Sequence, residues 1–525
     1  MSSLVSAAVK APDIDWAGLS PLLALLGGSI VVLLVGLLRS RVARYGVVPF
    51  LTIVSFAAAA GLAVWQWDER GALISGALAL DPLYLLTAIG VAAAGVAATL
   101  LGVGTAAPRE AAHGEFHGLL LVSGAGMVVF AGAQNLVVTF VGLELLSIPL
   151  YILAATELHR RRSLESGLKY LIVGSVGSAT LLYGFALIYG ATGSTDYAAI
   201  RTALGDAALR DDVLLLGGMA MAIVGLCFKA SVAPFHQWTP DVYEGAPTAV
   251  TTFMATATKV ATLVAMIRLF DVALPGVSDV WGPVLAALAV IAMIVGNVGA
   301  LGQSSAKRLL AFSSVAQAGY MLVGVVVGTQ LGAQATTFYV LAYLVMTAAA
   351  FAVVAAVERE SGTDDGAAFE GLAQRRPVHA VALTLSLLGL AGVPATVGFV
   401  AKLRIIESAV DGDYAWLAIV LVVGSMISFA YYLRLIARVW SGAPRETPAP
   451  ATAVAPLAGA DPVGDALSGV RAPASAAAEP AVPGAVWPTT VVAGISGAAV
   501  LVLGIVPGPL MDTVEAVGRS LPTIF

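Results

Sequence analysis

Four lysines, one glutamate and one histidine stand in stretches that are otherwise apolar. Lys229 is the single charge in Met219–Val232. Lys259 lies near the centre of Ala249–Phe270, with Arg268 near the far end. Glu144 sits in FVGLELLSIPLYIL, Lys169 in SLESGLKYLIVG, Lys402 in GFVAKLRIIE and His236 in APFHQW. An ionisable side chain inside a spanning helix costs several kcal/mol and usually faces a bundle interior or a water path. The chemistry such a set can do is proton exchange. Desolvation disfavours a charged form and a nearby opposite charge favours it, so a buried carboxylate near a lysine has a switchable proton. His236 is of the one type that titrates near neutral pH unperturbed. Each residue also has a static reading. Glu144 could pack helices as an ion pair, Lys259 could be held by backbone carbonyls, and His236 could be a hydrogen-bonded interface residue. Lys169 is only about one and a half turns into its helix, so it could snorkel to the interface. Arg404 and Glu407 read as interfacial. His236 has no second histidine at ligand spacing, and Asp241 and Glu244 read as loop residues, which argues against a metal.

The elements that must position these groups carry prolines. Pro234 cannot donate to the carbonyl of Ala230, nor Pro149 to that of Leu145. Gly389 and Gly392 weaken the chain before Pro394. A broken helix beside an ionisable side chain is how many transporters build a mid-membrane ion site. Lys229 lies before its proline and Lys402 after Pro394, a suggestive internal repeat. Ala255, Thr256, Ala257 and Thr258 leave room for water and close helix approach ahead of Lys259.

Across 525 residues, 59% are hydrophobic, 11% are charged and the mean hydropathy is +0.92. Apolar runs near the length of a membrane span recur throughout. The chain is therefore predicted to be an all-α polytopic membrane protein and a single integral domain, 1–525. Fourteen spans are expected: 19–38, 47–66, 82–104, 116–132, 135–155, 165–190, 212–233, 248–270, 281–301, 309–328, 335–357, 378–407, 414–438 and 487–507. Arg39, Arg41 and Arg44, then Arg160 to Arg162, Lys307 with Arg308, and Arg359, Arg375 and Arg376 fall on one side of that scheme. The positive-inside rule makes that side cytoplasmic and both termini periplasmic. The first apolar stretch reads as a retained helix, not a cleaved signal. Ser441–Ala485 is rich in Ala and Pro and reads as a flexible cytoplasmic linker, 441–485, a tether or a partner-docking loop. One cysteine, Cys227, excludes a disulfide framework or iron–sulfur cluster within the chain, and no nucleotide or flavin motif is present. No basic tract points to nucleic acid.

APFHQWTPDVYEGAP, with Phe228–Lys229 upstream, resembles the signature of subunit N of bacterial respiratory complex I, the proton-pumping NADH–quinone oxidoreductase. The wider family is the antiporter-like subunits, and the resemblance covers roughly residues 80 to 440. It implies two inverted five-helix repeats with broken helices, spans four to eight (116–270) and nine to thirteen (281–438). It implies that Glu144 and Lys229 form the pair of a first half-channel with Lys169 beside them. Lys259 would link the half-channels and Lys402 would end the second. The implied function is that of a translocase subunit in the bacterial cell membrane. Its partners would be the other membrane subunits, the bilayer and protons. The chain would hold no cofactor, while NADH, flavin, iron–sulfur clusters and quinone would belong to other subunits. The alternative is a subunit of a multisubunit sodium/proton antiporter. TPDVYEGAP and the lysine at 402 favour subunit N. Gln317 stands where many relatives have histidine, which puts a titratable relay there in doubt.

Overall fold

The computed structural model describes residues 14–38, 40–442 and 486–520. The helices in order are α1 (Ser20–Gly36), α2 (Val48–Trp65), α3 (Pro82–Gly102), α4 (Ala106–Glu110), α5 (His113–Gly132), α6 (Leu136–Ala154), α7 (Arg161–Thr192), α8 (Tyr197–Ala203), α9 (Val213–Ala230) and α10 (Trp238–Gly245). There follow α11 (Thr248–Ile267), α12 (Ser278–Leu301), α13 (Ala306–Val327), α14 (Gln330–Ser361), α15 (Leu372–Arg375), α16 (Pro377–Ala391), α17 (Val397–Asp411), α18 (Ala415–Trp440), α19 (Trp487–Ile505) and α20 (Gly508–Ser520). A short antiparallel pair, β1 (Gly71–Leu73) and β2 (Leu78–Leu80), joins α2 to α3; the hydropathy pattern did not anticipate it. The chain is a multi-pass α-helical membrane protein.

Among the described residues, twelve helical stretches are long and apolar enough to cross a membrane. The other two expected segments are α1, which is shorter, and 378–407, which is split into α16 and α17. Each half of that split falls short of the roughly 20 residues needed to span a bilayer. Asp241 and Glu244, expected in a loop, lie instead on α10.

The bundle is layered by polarity. Every residue of α11 is buried, and α3, α13 and α14 are buried over most of their length around it. The outer helices turn large apolar side chains outward, among them Phe50, Val176, Ile294, Ile419 and Ile495. Lipid tails are as apolar as these side chains, so burying them gains little, and helices associate instead through close packing and interhelical hydrogen bonds. The interior can therefore be polar, and it holds Lys229, Lys259, Lys307 and Lys402, all at most 5% exposed.

Two helices stop inside this interior. At the end of α9, Ser231 adopts a left-handed conformation (φ 63°) and the Val232 N–H closes onto the Cys227 carbonyl at 2.8 Å. At the end of α16, Gly392 adopts it (φ 88°) and the Val393 N–H closes onto the Leu388 carbonyl at 3.0 Å. Both are left-handed helix terminations, which leave the last carbonyls without helical partners.

Candidate functional site

Lys229 is the penultimate residue of α9. Its Nζ donates to Ser147 Oγ on α6 at 2.8 Å and to Tyr170 Oη on α7 at 3.1 Å. Tyr170 is held in place by stacking on Trp238, with ring centroids 4.5 Å apart and planes 9° off parallel. Trp238 in turn donates to the Phe228 carbonyl at 3.0 Å, so the first turn of α10 folds back onto the end of α9. Glu144 lies one turn before Ser147 on the same face of α6, as i,i+3 spacing dictates. Its carboxylate makes no ion pair with Lys229, and its Oε1 is buried without a hydrogen-bond partner. The Ser147 hydroxyl that Lys229 reaches donates to the Leu143 carbonyl and not to Glu144. Ser147 and Tyr170 were not singled out from the sequence.

Lys259 on α11 donates to the Ala230 carbonyl at 2.8 Å. This carbonyl is left without a helical partner because α9 ends there, at the left-handed Ser231. The break therefore serves Lys259, and brings the two lysines to consecutive residues of α9. The threonines preceding Lys259 turn their hydroxyls onto their own helix, Thr252 to the Thr248 carbonyl and Thr256 to the Thr252 carbonyl, each at 2.7 Å.

Lys402 sits in the second turn of α17 and donates to the Leu390 and Ala391 carbonyls at 2.9 and 2.8 Å. The Leu390 carbonyl is open because α16 ends at the left-handed Gly392. Gln317 on α13 donates to the Leu390 carbonyl too, at 3.0 Å, and accepts from Tyr339 Oη at 2.6 Å. Tyr343, one turn along α14 from Tyr339, donates to Ser314 at 2.9 Å, and its ring lies 6.0 Å from Lys259 Nζ. Superposing the left-handed residues Ser231 and Gly392 in sequence makes Ala230 and Ala391 equivalent, each gripped by a lysine. Lys259 and Lys402 share this carbonyl grip, while Lys229 and Lys402 share a neighbouring proline.

These contacts place the half-buried Glu144 and the buried Ser147, Lys229, Lys259, Tyr343, Ser314, Tyr339, Gln317 and Lys402 in one set of interior polar groups. Lys169 is not in it. Its side chain is 43% exposed and its ammonium pairs with Glu165 at 2.7 Å and Asp241 at 2.8 Å, which is the interfacial reading. Asp241 also takes Arg308 at 2.8 Å. Partial burial pushes the Asp241 carboxyl up, but the hydrogen bonds from Lys169 and Arg308 prevail and hold it below the usual carboxylate range. His236 lies in the break between α9 and α10, half-buried and edge-on to Phe312, and bonds to none of the lysines. Lys307, expected in a basic loop beside Arg308, is fully buried. It donates to the Ala246 carbonyl at 2.8 Å and lies 3.9 Å from Glu358, which also pairs with Arg160 at 3.1 Å. Glu358 and Thr248 line a cavity of about 620 Å³ that opens at this end of α11. Among the described residues no cluster of three or more His, Cys, Asp or Glu side chains could hold a metal, and Cys227 is a buried free thiol.

Residues 133–428 match the family model described as NADH:quinone oxidoreductase/Mrp antiporter, transmembrane. The chain is 39% identical to NADH-quinone oxidoreductase subunit N of Chloroflexus aggregans over 84% of this chain and 91% of that one. It is 37% identical to subunit N of Salinispora arenicola over 96% and 98%. Among solved structures, a chain of respiratory complex I from Thermus thermophilus, with bound aureothin, superposes with a TM-score of 0.75 at 32% identity, covering 94% of this chain and 99% of that chain. A chain of the Mrp complex from Dietzia superposes at 0.80 but at 24% identity, covering 97% and 98%, which speaks to the fold alone. The long motif around Trp238, the broken helices and these likenesses agree: the chain belongs to the subunit N family of NADH-quinone oxidoreductases.

Proposed function

We propose that this chain is the N-type membrane subunit of a proton-pumping NADH–quinone oxidoreductase and that it carries protons along the row from Glu144 to Lys402. NADH oxidation and quinone reduction take place in other subunits, which hold the flavin, the iron–sulfur clusters and the quinone site. The observation that carries this reading is the pair of helix breaks, each offering a freed backbone carbonyl to a buried lysine. Such interruptions at membrane depth are tolerated only where the backbone is buried in protein or lines a water-filled cavity. Between the breaks, the hydroxyls of Tyr343, Ser314 and Tyr339 and the amide of Gln317 connect Lys259 towards Lys402. Gln317 orders donors and acceptors in that row and does not itself titrate.

The correspondence of the two breaks supports reading 116–270 and 281–438 as the two repeats, with Glu144 and Lys229 in the first half-channel, Lys259 at the junction and Lys402 at the far end. The protein sits in the bacterial cell membrane with the basic loops cytoplasmic and both termini periplasmic. The stand-alone sodium/proton antiporter reading is supported by the shared family model and by fold likeness, whereas the relatives at 37–39% identity are named subunit N. Lys229→Ala tests the proposal. Native gels should show an assembled complex, while inverted vesicles should show most proton pumping lost. Normal pumping per electron with intact assembly sinks the role of the row.

A further inference from the structure

A second polar site lies outside this row, where α1 turns into α2 and α3 connects to α5. A cavity of about 210 Å³ there is lined by Arg44, Pro49, Pro108, Arg109, His113 and His117, among others, and by no acid. Its volume is about seven times a water's share of the liquid, ~30 Å³. Arg109 is half-buried and has no hydrogen-bond or ion-pair partner; its Nε is shielded from solvent. His117, at 1% exposed, has a buried Nδ1 without a partner. A buried donor left unpaired is destabilising, more so when charged. The nearest acid in sequence, Glu110, is turned away onto His159 at 3.3 Å. The walls are held together. His113 meets Tyr45 edge to face with centroids 4.5 Å apart, and Gly36 and Gly114 pack so closely that a Cβ on Gly114 would lie 2.9 Å from Gly36 Cα. Next to the cavity, Leu37, Val42 and Phe50 are 69%, 73% and 63% exposed, an apolar surface leading up to the cationic pocket.

We propose that this cavity binds the phosphate of an anionic glycerophospholipid, with Arg109 and Arg44 on the phosphate, His117 at its base and the acyl chains along the outer faces of α1 and α2. Basic pockets between spanning helices on the cytoplasmic side suit anionic headgroups, and each arginine there contributes about fivefold in affinity. A free phosphate would satisfy the arginines equally but would leave the apolar surface unused.

The test uses the purified whole complex and a phosphatidylglycerol carrying a photoreactive group near its headgroup. Labelling of the peptide spanning 103–117 is expected, undiminished by phosphatidylcholine and by inorganic phosphate. Its half-saturation should rise about fivefold in Arg109→Gln and again in Arg44→Gln/Arg109→Gln. Arg109→Lys should retain most of the labelling. Arg70→Gln, at the opposite end of α2, should match the wild type, which separates headgroup binding from general misfolding. Labelling unchanged in the double variant overturns the site, and displacement by inorganic phosphate alone overturns the lipid.

Discussion

If Lys259 carries a proton as proposed, the property that matters there is the ability to release it. Arginine keeps the charge and can still donate to the Ala230 carbonyl, but its pKa lies above about 12 and it does not deprotonate in proteins. Lys259→Arg should therefore assemble and pump at least about 10²-fold more slowly, the scale of a lost acid–base step. Quinone reductase turnover should fall with it. Wild-type pumping by this variant would mean that only the charge is used. Ser147→Ala removes one of the two hydroxyls on Lys229. Losing a buried hydrogen bond to a charged group costs about 1.5–3 kcal/mol, so pumping should fall while assembly persists, and Ser147→Thr should restore part of it. Full pumping by Ser147→Ala would remove the hydroxyl from the path. The charged members of the row were legible in the sequence because a charge in an apolar run is conspicuous. Ser147, Tyr170, Tyr339 and Tyr343 were not, because neutral polar residues cost a helix little and occur everywhere. Lys307 was hidden by its neighbour, since a Lys–Arg pair between spans reads as a solvated loop.

The breaks belong to the scale of the element. Gly392 holds φ 88°, and a Cβ there would come within 2.9 Å of Lys402 Cδ. A non-glycine residue in the left-handed region costs about 1–3 kcal/mol, so Gly392→Ala should displace Lys402 and lower pumping. Loss of protection from hydrogen exchange should be confined to α16 and α17, and a global loss of stability would contradict a local role. The short helix α10 is clamped to α7 and α13 through Asp241, Lys169 and Arg308. The Asp241 carboxyl is held below its ordinary range. Its stabilisation is therefore fully present above the unfolded pKa of about 3.9 and is lost as pH falls through the lower folded value. Asp241→Asn should loosen α10 to proteolysis equally at pH 5 and pH 8, and the difference from wild type should shrink only below about pH 4. A difference that changes between pH 5 and 8 would assign the clamp to another group. The breaks themselves were legible from Pro234 and Pro394. Their repetition was suggested too, but not its register, because the terminating residues Ser231 and Gly392 have different side chains and the prolines stand one residue out of step.

For the whole molecule, hydropathy and loop charge were enough to reach an all-helical membrane bundle. The span count is less direct, because α1 and the two halves α16 and α17 are shorter than a bilayer requires. The long stretch between Trp440 and Trp487 lies almost entirely outside the described residues, so the reading of 441–485 as a linker rests on composition. Replacing most of it with a Gly/Ser segment long enough to bridge α18 and α19 should leave assembly and turnover little changed. Failure to assemble on native gels would instead make the segment a docking loop.

The partners of the lysines differ in kind, and this divides the labour between them. A carbonyl only accepts, and an amine and an ammonium can both donate to it. Lys259 and Lys402, anchored on backbone carbonyls, can change protonation without changing address. On the proposed path they would act as fixed stores of charge. Lys229 is anchored on Ser147 and Tyr170, whose hydroxyls accept from an ammonium but can also turn and donate to an amine's lone pair. Each discharge of Lys229 can therefore rewrite the direction of hydrogen bonds reaching α6 and α7, beside the unpartnered carboxylate of Glu144. On the proposed proton path the store and the sensor are therefore different lysines, and the sensor is the one whose hydroxyl partner, Ser147, lies one turn from Glu144.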